Sequence, residues 1–514
     1  MSTNTAIFAS ATLISRIAGL LRDAIALAIY GTGLAASAFT IASQIPNLMT
    51  NLFAQAALSA AFVPVFTRLL QEGRRREAFR LASSMFWIVL IVLGAITVVG
   101  IGLAGLLLPL LSGKNFAGAT AATLTQIMLP VVVFLAMTSV LTGVLQSYDH
   151  FAIPALAPIV WNIVIILTVV LLHSHLGRHG IYAYAIGWLA ATIVQFLLIF
   201  WGLRRIDFRL TPHIDWHDPR IREVFVLMLP VTVGLGIINL DALINSSLGA
   251  LVSPDGPRAI QAAFLLYMMP QGVFSVAVAT VLFPTLSRQA TRRDPRTMRA
   301  TIGNGMRQIN LLLIPSAAGL MMLGRPIIRL LFEHGQFRAL SLDLTSTALF
   351  WFAWSLPFAG INLLLTRTFF ALRRPWIPAK LAVLNLAVDV VVSLSLYRPL
   401  GIAGLVIGTA AANMVMAVLQ LRRLRIGFNG NLELGRTTMI TARILVASII
   451  TGAVARLVWA GLNSIVGISV PGQLVSVGGA VLAAGAFYLW AVSHMRIAEW
   501  RQIEVMLARR LGRV

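Results

Sequence analysis

Residues Ser15–Asp23 read SRIAGLLRD and place two arginines and an aspartate inside a segment that is long and apolar enough to cross a bilayer. At roughly 100° per residue, Arg16, Arg22 and Asp23 fall on one side of a helix. A charged group at bilayer depth costs roughly 2.5 to 3.5 kcal/mol on insertion scales, so we expect this stripe to face a watery cavity. The stripe predicts a site for an anion. The alternative is an Arg22–Asp23 pair that only fixes packing near the helix end, or a side chain that snorkels.

The composition indicates an all-α polytopic membrane protein. Hydrophobic residues make up 58% of the 514 positions and charged residues only 11%, and the mean hydropathy is +0.87. About fourteen hydropathic segments of roughly 20 or more residues are long enough to span a bilayer. The chain has no cysteine, which excludes disulfides, thiolate metal sites and cysteine nucleophiles. Nothing resembles a soluble catalytic domain, so we expect a protein that is not an enzyme.

Arginine gathers in alternate loops between these segments. The formal net charge of +23 would indicate a nucleic-acid partner in a soluble protein, but here the arginine-rich loops alternate with loops that hold few cations. The rich loops lie at positions 68–80, 204–222, 288–299 and 422–436, and the poor loops contain Lys114, Arg178, Arg258 and Arg398. The positive-inside rule places the rich side and both termini in the cytoplasm. We therefore expect no nucleic-acid partner, and anionic membrane lipids as a secondary contact of these loops.

The sequence repeats itself at an offset of about 220 residues. The string GIYAYAIGWLAA from Gly180 returns as GIAGLVIGTAAA from Gly401. Each half then holds six spans, and an even number gives both halves the same orientation, related by a pseudo-two-fold axis along the membrane normal. The predicted domains are an N-lobe (1–205), a C-lobe (206–425) and two further helices with a cytoplasmic tail (426–514). Two such lobes around a midplane cavity are typical of a transporter that works by alternating access.

The second predicted span carries polar side chains beside the charged first span, and Pro46 bends it. Its candidate contacts for a polar head group are Asn47, Thr50, Asn51 and Gln55. Packing between helices is the alternative use of such residues. In the tenth span, Arg367 either lines the cavity or marks the helix end.

Two aspartates lie in strongly apolar spans of the predicted C-lobe, Asp241 in the seventh and Asp389 in the eleventh. Asn385 shares the helical face of Asp389, and Thr409 of the twelfth span adds a hydroxyl. Carboxylate, amide and hydroxyl oxygens suit a hard monovalent cation, and an aspartate alone can bind a proton. The pattern predicts a sodium or proton site, with an aspartate bonded to a neighbouring helix as the alternative. The histidines show no metal-site spacing, so no other cofactor is expected.

Four strings carry a resemblance to a known family: SRIAGLLRD, PNLMTNLFAQAALSAAFVPVF, GVLQSYDHFAIPALAPIVWNI and PQGVFSVAVATVLFPTLSR. Together they resemble the MurJ (MviN) lipid II flippases of the multidrug/oligosaccharidyl-lipid/polysaccharide (MOP) exporter superfamily, over essentially the whole chain. The resemblance implies export of the undecaprenyl-diphosphate-linked peptidoglycan precursor across the bacterial inner membrane for cell-wall synthesis and cell shape. It implies a cationic cavity at Arg16 and Arg22, with Asp23 beside them, and a lipid-tail groove formed by the last two helices. It also implies a sodium site at Asp241, Asn385, Asp389 and Thr409.

The chain departs from the family pattern at several charged positions. An aspartate of the family is Ser37 here, two paired arginines are Thr50 and Asn51, a glutamate is Gln55, and a cavity arginine of the second lobe falls on Leu265. These departures leave three outcomes open. Arg16 and Arg22 hold the head group with neutral donors, or the chain moves another lipid-linked glycan, or it no longer transports.

We predict a non-enzymatic flippase for lipid II, with lipid II and membrane lipids as its partners. We expect the protein to be a monomer and to use a sodium ion or a proton as its coupling ion. The first alternative is a flippase for an O-antigen, teichoic or capsular lipid-linked glycan. A cation-coupled drug antiporter of the same superfamily is disfavoured, because the arginine stripe repels organic cations. A transport-inactive scaffold of a cell-envelope complex is the alternative from a different class.

Overall fold

The computed structural model describes residues 3–53, 56–112, 118–148, 150, 152–206, 208–292, 294–374, 376–428 and 432–495. Within these ranges every regular element is a helix, and no strand occurs. A helix pairs all its interior backbone groups within itself, which is what a segment in hydrocarbon requires. The predicted all-α polytopic membrane protein is confirmed.

The described residues form long helices joined by short turns. In chain order these are α1 (Thr3–Tyr30), α2 (Leu34–Phe53), α3 (Ala56–Gln71), α4 (Arg75–Ser112), α5 (Gly118–Met128), α6 (Pro130–Ser147), α7 (Ala152–Leu172), α8 (Tyr182–Gly202), α9 (Pro219–Val252), α10 (Gly256–Pro270), α11 (Val276–Thr291), α12 (Pro295–Phe332), α13 (Ala339–Ala371), α14 (Trp376–Leu400), α15 (Ile402–Gly427), α16 (Leu434–Val466) and α17 (Val470–His494). A π-helical turn, Gln271–Ser275, joins α10 to α11.

Eleven segments of the described ranges are long and apolar enough to cross a membrane. They correspond to α4, the α5–α6 pair, α7, α8, the α10–α11 pair, and α12 to α17. The helices α1, α2, α3 and α9 are not among them. Helix α3, with 16 residues, is shorter than a single bilayer crossing requires.

The chain divides into two compact units. The first unit comprises Met1–Arg258 with Gly335–Phe337, and the second comprises Ala259–His334 with Arg338–Val514. Helix α9 therefore packs in the first unit, against α2 and α3. The sequence analysis placed a lobe boundary at residues 205 and 206 because the stretch that follows is polar. That boundary was drawn from the internal repeat and stays a prediction. The boundary between the two compact units lies after α9, at Arg258.

The polar stretch before α9 is bonded to α4 instead of forming a free linker. Trp87 Nε1 donates to the carbonyl of Thr211 at 2.9 Å, and the Ser84 hydroxyl donates to the carbonyl of His213 at 3.1 Å. The backbone N–H of Thr211 in turn donates to the Ser83 hydroxyl at 3.2 Å. Side chains of α4 thus satisfy backbone groups that have no partner in a helix.

Charged side chains fix the start of α9. Asp218 caps the helix by accepting the backbone N–H of Arg220 at 2.9 Å. The Arg220 guanidinium bonds to Asp218 at 2.8 Å and to Glu77 of α4 at 2.7 Å. Arg68 of α3 forms a bidentate pair with Glu223. These contacts account for the packing of α9 in the first unit.

In the second unit, α15 lies against α14 at backbone distance. A Cβ atom at Gly404 would collide with the carbonyl of Leu396, and one at Gly408 would lie 2.7 Å from Oδ1 of Asp389. Small residues spaced four apart permit this close approach of membrane helices. The carboxylate of Asp389 is therefore enclosed by two helices and is only 1% exposed.

Candidate functional site

Arg22 and Asp23 of α1 form a largely buried ion pair. Arg22 Nη2 donates to Asp23 Oδ2 at 2.8 Å, and the two side chains are 16% and 13% exposed. Arg22 Nη1 donates to Oδ1 of Asn162 on α7 at 3.1 Å. Arg22 Nε is buried and has no hydrogen-bond partner within the described ranges. The guanidinium therefore keeps one donor that an anionic oxygen could satisfy.

The Asp23 carboxylate faces a second guanidinium. Tyr184 of α8 donates its hydroxyl to Asp23 Oδ1 at 3.2 Å. Arg258 Nη2 lies 4.0 Å from the same oxygen, and Arg258 is 6% exposed. Two guanidiniums thus share one carboxylate, which leaves a net positive charge among buried side chains. A buried excess charge is costly unless a counter-charge reaches it, and here the counter-charge would be an anion.

An aromatic platform supports Arg22. Its Cζ lies 5.1 Å from the ring centroid of Trp161 on α7. Trp161 Nε1 donates to the Thr192 hydroxyl of α8 at 3.2 Å, and the indole packs edge-on against Trp188 with centroids 5.4 Å apart. A cation over an indole face is stabilised by the ring quadrupole. The platform holds the guanidinium in place and is independent of the carboxylate.

Arg16 is placed differently from Arg22. Its side chain is exposed on α1 and has no ion pair or hydrogen bond to any residue that the structure describes. Helix α7 contacts α1 next to Arg16, because Asn162 Nδ2 donates to the carbonyl of Ser15 at 3.5 Å. Of the three charged residues in SRIAGLLRD, the structure joins Arg22 and Asp23 and leaves Arg16 as an exposed cation.

Arg258 is a site residue that the sequence did not reveal. The charge pattern assigned it to a loop, but it lies in the first turn of α10 and is buried. Its backbone N–H donates to the Ser37 hydroxyl at 3.4 Å, and Asp255 accepts a 2.8 Å bond from Thr32. These bonds tie the start of α10 to the turn between α1 and α2. The only sequence signal is that Arg258 directly precedes an apolar run, where hydropathy does not separate a loop from a helix end.

The polar residues of α2 are distributed between packing and the site. Gln44 is buried and donates to Ser246 of α9 at 3.3 Å, which is a helix-packing role. Asn47 is half-buried and Thr50 is buried on the same helix, which continues through Pro46. The side chain of Asn51 and the whole of Gln55 lie outside the described residues. The head-group contacts predicted for these residues remain predictions.

A second polar cluster surrounds Asp389 on α14. Ser393 donates to Asp389 Oδ1 at 3.0 Å, and Thr409 of α15 donates to Oδ2 at 3.1 Å. Farther along α15, Asn413 Nδ2 donates to the Thr409 carbonyl at 3.0 Å. The predicted neighbours Asp389 and Thr409 are thus in direct contact, and Ser393 is a hydroxyl that the sequence analysis did not include. Its signal was the four-residue spacing from Asp389.

The other two predicted cation ligands, Asn385 and Asp241, lie in different surroundings. Asn385 lies one turn before Asp389 on α14, and its Oδ1 is buried without a hydrogen-bond partner in the described ranges. The lone pairs of such an oxygen are available to coordinate a cation. Asp241 is half-buried on α9, in the first unit, whereas the other three residues belong to the second.

Arg367 of α13 is half-buried in the second unit. Its Cζ lies 5.7 Å from the ring centroid of Phe283 on α11. The adjacent Thr366 accepts a 3.1 Å bond from Gln420 of α15. The structure therefore shows Arg367 stacked on an aromatic ring, and its predicted place in a cavity stays a prediction.

The sequence of this chain matches that of a known family over most of its length. The profile of the family described as "Lipid II flippase MurJ" matches residues 26–475. The chain belongs to the MurJ family. A relative from Burkholderia cenocepacia, named "Lipid II flippase MurJ", is 29% identical over 425 residues, which cover 80% of this chain and 82% of that protein. The resemblance noted in the sequence is thereby confirmed.

Solved structures agree on the fold. One titled "Lipid II flippase MurJ, inward closed conformation" has a TM-score of 0.78 at 22% identity and covers 95% of this chain and 98% of its own. An inward-facing multidrug resistance MATE family transporter of the MOP superfamily has a TM-score of 0.65 at 17% identity, covering 84% and 95%. The MurJ-family chain therefore has the fold shared by these transporters.

Two positions at which the chain departs from the implied MurJ pattern, Ser37 and Leu265, can be located relative to Arg258. Ser37, where the resemblance implies an aspartate, is fully buried and accepts the backbone N–H of Arg258. Leu265, where the resemblance implies an arginine, lies on α10 seven residues after Arg258 and so on the same helical face, two turns away. Arg258 is thus an arginine on the face of α10 that also holds Leu265.

Proposed function

We propose that this MurJ-family protein is a lipid II flippase that moves the undecaprenyl-diphosphate-linked peptidoglycan precursor from the inner to the outer leaflet of the bacterial inner membrane. The family assignment supports the reaction, and one structural observation supports the substrate: the carboxylate of Asp23 faces the guanidiniums of both Arg22 and Arg258. A diphosphate supplies the missing negative charge. Arginine suits this task because its planar fork grips two oxygens at once.

The capture step follows from the uneven contacts of Asp23. Arg22 is bonded to it at 2.8 Å, but Arg258 stands at 4.0 Å, beyond hydrogen-bond distance. A diphosphate would take the free donors of Arg258 and the unused Nε of Arg22, while Tyr184 keeps Asp23 in place. Arg16, exposed on the same helix, adds a further cation for the head group. The protein binds and releases the diphosphate, and no covalent bond changes.

We further propose fourteen spans, completed by α1, the α2–α3 pair and α9, in two six-helix lobes with α16 and α17 outside them. The arginine-rich loops and both termini then face the cytoplasm. Alternating access of a monomer would carry the head group across, and the surfaces of α16 and α17 would accept the lipid tail.

The coupling ion in this proposal is sodium or a proton at Asp389. The donor set fits a hard monovalent cation, because Asp389, Thr409 and Ser393 present carboxylate and hydroxyl oxygens and Asn385 presents an unpartnered amide oxygen. Asp241 is the further acid assigned to this role. A bound cation would supply the charge that lets the second unit respond to an ion gradient.

A flippase for another lipid-linked glycan is the second candidate. It is favoured by the neutral residues Ser37, Thr50 and Leu265 at positions where the family carries charge. The diphosphate linkage is common to both substrates, so Arg22 and Arg258 do not discriminate between them.

Complementation tests the proposal. The full-length chain is expressed in cells whose own lipid II flippase can be switched off, and growth and lipid II accumulation are measured. We expect wild-type protein to restore growth and Arg22→Ala to abolish rescue at equal membrane abundance. Arg398→Ala, an exposed arginine outside the site, is the matched control and should rescue fully. Failure of well-expressed wild-type protein, or rescue of only an O-antigen or teichoic pathway, would rule out lipid II as the substrate.

A further inference from the structure

The first unit contains an open cavity of about 190 Å³ between α6, α7 and α8. Its polar lining consists of the hydroxyls of Thr138, Ser139 and Thr142 on α6 and the amide of Gln195 on α8. Pro154 and Ala157 of α7 provide apolar surface. None of the lining residues that the structure describes is ionisable. A cavity of this kind selects a neutral ligand with hydroxyl or amide groups and one apolar face.

Two of the polar groups in this cavity have unused hydrogen-bonding capacity. Thr138 bonds to the carbonyl of Phe134 in its own helix at 2.7 Å. The Thr142 hydroxyl and the Gln195 amide, in contrast, have no hydrogen-bond partner in the part of the chain that the structure describes. Both belong to helices that are apolar enough to span a membrane. Polar groups at that depth must bond to water or to a ligand.

The cavity is adjacent to the guanidinium platform. On α7, Ala157 precedes Trp161 by four residues, and on α8, Gln195 follows Thr192 by three. Trp161 and Thr192 are bonded to each other, and the Trp161 ring carries Arg22. The cavity therefore lies about one helical turn, or about 5 Å, along both helices from the Arg22 platform.

We propose that this cavity, lined by Thr142 and Gln195, binds the sugar ring attached to the diphosphate of the lipid-linked substrate. The inference rests on the proposed function and adds a subsite to it. A sugar ring offers hydroxyls to Thr142 and Gln195 and a C–H face to Pro154 and Ala157. The volume corresponds to about six waters at about 30 Å³ each, which suits one sugar ring, while the rest of the head group would extend through the open side. Trp161, on which Arg22 stacks, lies one helical turn from the lining residue Ala157, so a sugar in the cavity would be close to a phosphate held at Arg22.

The experiment compares two lipids that differ in the sugar. Binding of lipid II and of undecaprenyl diphosphate, which has no sugar, is measured on purified full-length protein in detergent. We expect the wild type to bind lipid II more tightly. Thr142→Val and Gln195→Leu should each weaken lipid II binding about five-fold and leave undecaprenyl diphosphate binding unchanged, because each removes one neutral hydrogen bond.

Two further variants separate the causes of any change. Thr168→Val removes a hydroxyl of α7 that bonds only within its own helix, to Val164 at 2.8 Å, and lies outside the cavity. It should bind both lipids as the wild type does. Arg22→Ala should weaken both lipids together, because both carry the diphosphate.

Each other outcome overturns the inference in a recognisable way. Equal wild-type affinity for the two lipids, or unchanged lipid II affinity in both cavity variants, removes the sugar subsite and leaves the proposed function standing. An equal loss for both lipids in the cavity variants assigns Thr142 and Gln195 to packing. Wild-type protein that binds neither lipid removes the proposed function, and the subsite with it.

Discussion

The guanidinium of Arg258 stands 4.0 Å from the carboxylate of Asp23, while Arg22 is hydrogen-bonded to the same carboxylate at 2.8 Å. Asp23 thus lies between two arginines, of which only Arg22 is within hydrogen-bond distance. The more weakly engaged cation is the one that an incoming anion can recruit at the lowest cost, because no short hydrogen bond has to be broken. The predictions on this site follow from that inequality.

Arg258→Ala should weaken binding of undecaprenyl diphosphate about 10- to 100-fold, the range expected when a charge-assisted hydrogen bond is lost. Arg258→Lys should give an intermediate affinity, because lysine keeps the charge but not the fork. Affinity measured on purified protein checks both, with Arg398→Ala as the unaffected control. Wild-type affinity in Arg258→Ala would leave Arg258 with a packing role only.

The same inequality predicts an order of stability. After Arg22→Ala, Asp23 keeps Tyr184 and can pair with Arg258. After Asp23→Ala, two buried guanidiniums remain without a carboxylate, at a cost of about 3 to 5 kcal/mol. Thermal unfolding in detergent should therefore show a larger decrease in Tm for Asp23→Ala than for Arg22→Ala. The exposed Arg68–Glu223 pair is the control, since Arg68→Ala should cost less than about 1 kcal/mol; the reverse order of the two α1 variants would contradict the charge count.

Gly408→Ala should destabilise the second unit, because the added methyl group would lie 2.7 Å from Asp389 Oδ1 and force α15 away from α14. Overpacking of this kind costs about 1 to 3 kcal/mol. Gly319→Ala is the matched control on α12, where a Cβ meets nothing within 4 Å. The control should be neutral or gain up to about 1 kcal/mol from its helix propensity. Equal Tm values for the two variants would show that the α14–α15 contact tolerates a methyl group.

Sodium should stabilise the protein through Asp389. We expect a higher Tm in sodium chloride than in choline chloride, since a ligand that binds only the folded state raises its stability. Asp389→Asn should abolish the difference and Thr409→Val should reduce it. Thr451→Val, which removes a buried hydroxyl of α16 bonded only to Ala447, should retain the full difference. If Asp389→Asn keeps the sodium effect, the cation binds elsewhere.

Acid should release the segment 208–218 from α4. Burial raises the pKa of Asp218, but the hydrogen bonds and charge of Arg220 outweigh it and hold the pKa below its ordinary value. A lowered pKa in the folded state means that this stabilisation is complete above the unfolded pKa of about 4 and is lost as the pH falls through the folded value. The affected range is therefore below about pH 4.

Pepsin cleavage within residues 208–218 measures this release. At pH 5, Asp218→Asn should be cut faster than the wild type, and at pH 2 the two should be cut at the same rate. Asp215→Asn changes a charge in the same segment without touching Arg220 and should follow the wild type at both values. A rate difference that persists at pH 2 would separate the segment's stability from the Asp218 carboxylate.

The sequence predicted those contacts that depend on short spacing or on rare residue types. Arg22 and Asp23 are adjacent in an apolar segment, so pattern alone brought attention to their ion pair. Asp389 and Thr409, on successive helices, were grouped by the chemistry of their side chains, and the structure joins them. Contacts between distant segments could not be read in this way. Arg258 meets Asp23 because α10 begins beside the turn after α1, and α9 packs in the first unit against α2 and α3, which precede it by more than 140 residues.

The close seating of α15 on α14 limits the species that can reach Asp389. A Cβ atom at Gly408 would lie 2.7 Å from one carboxylate oxygen, and Ser393 and Thr409 each donate to one of the two oxygens, so the carboxylate is closely surrounded by protein atoms. An ion must shed its water to enter. Dehydration is far more costly for Mg²⁺ than for monovalent ions, so in the proposed cation site this close packing would favour sodium or a proton over Mg²⁺.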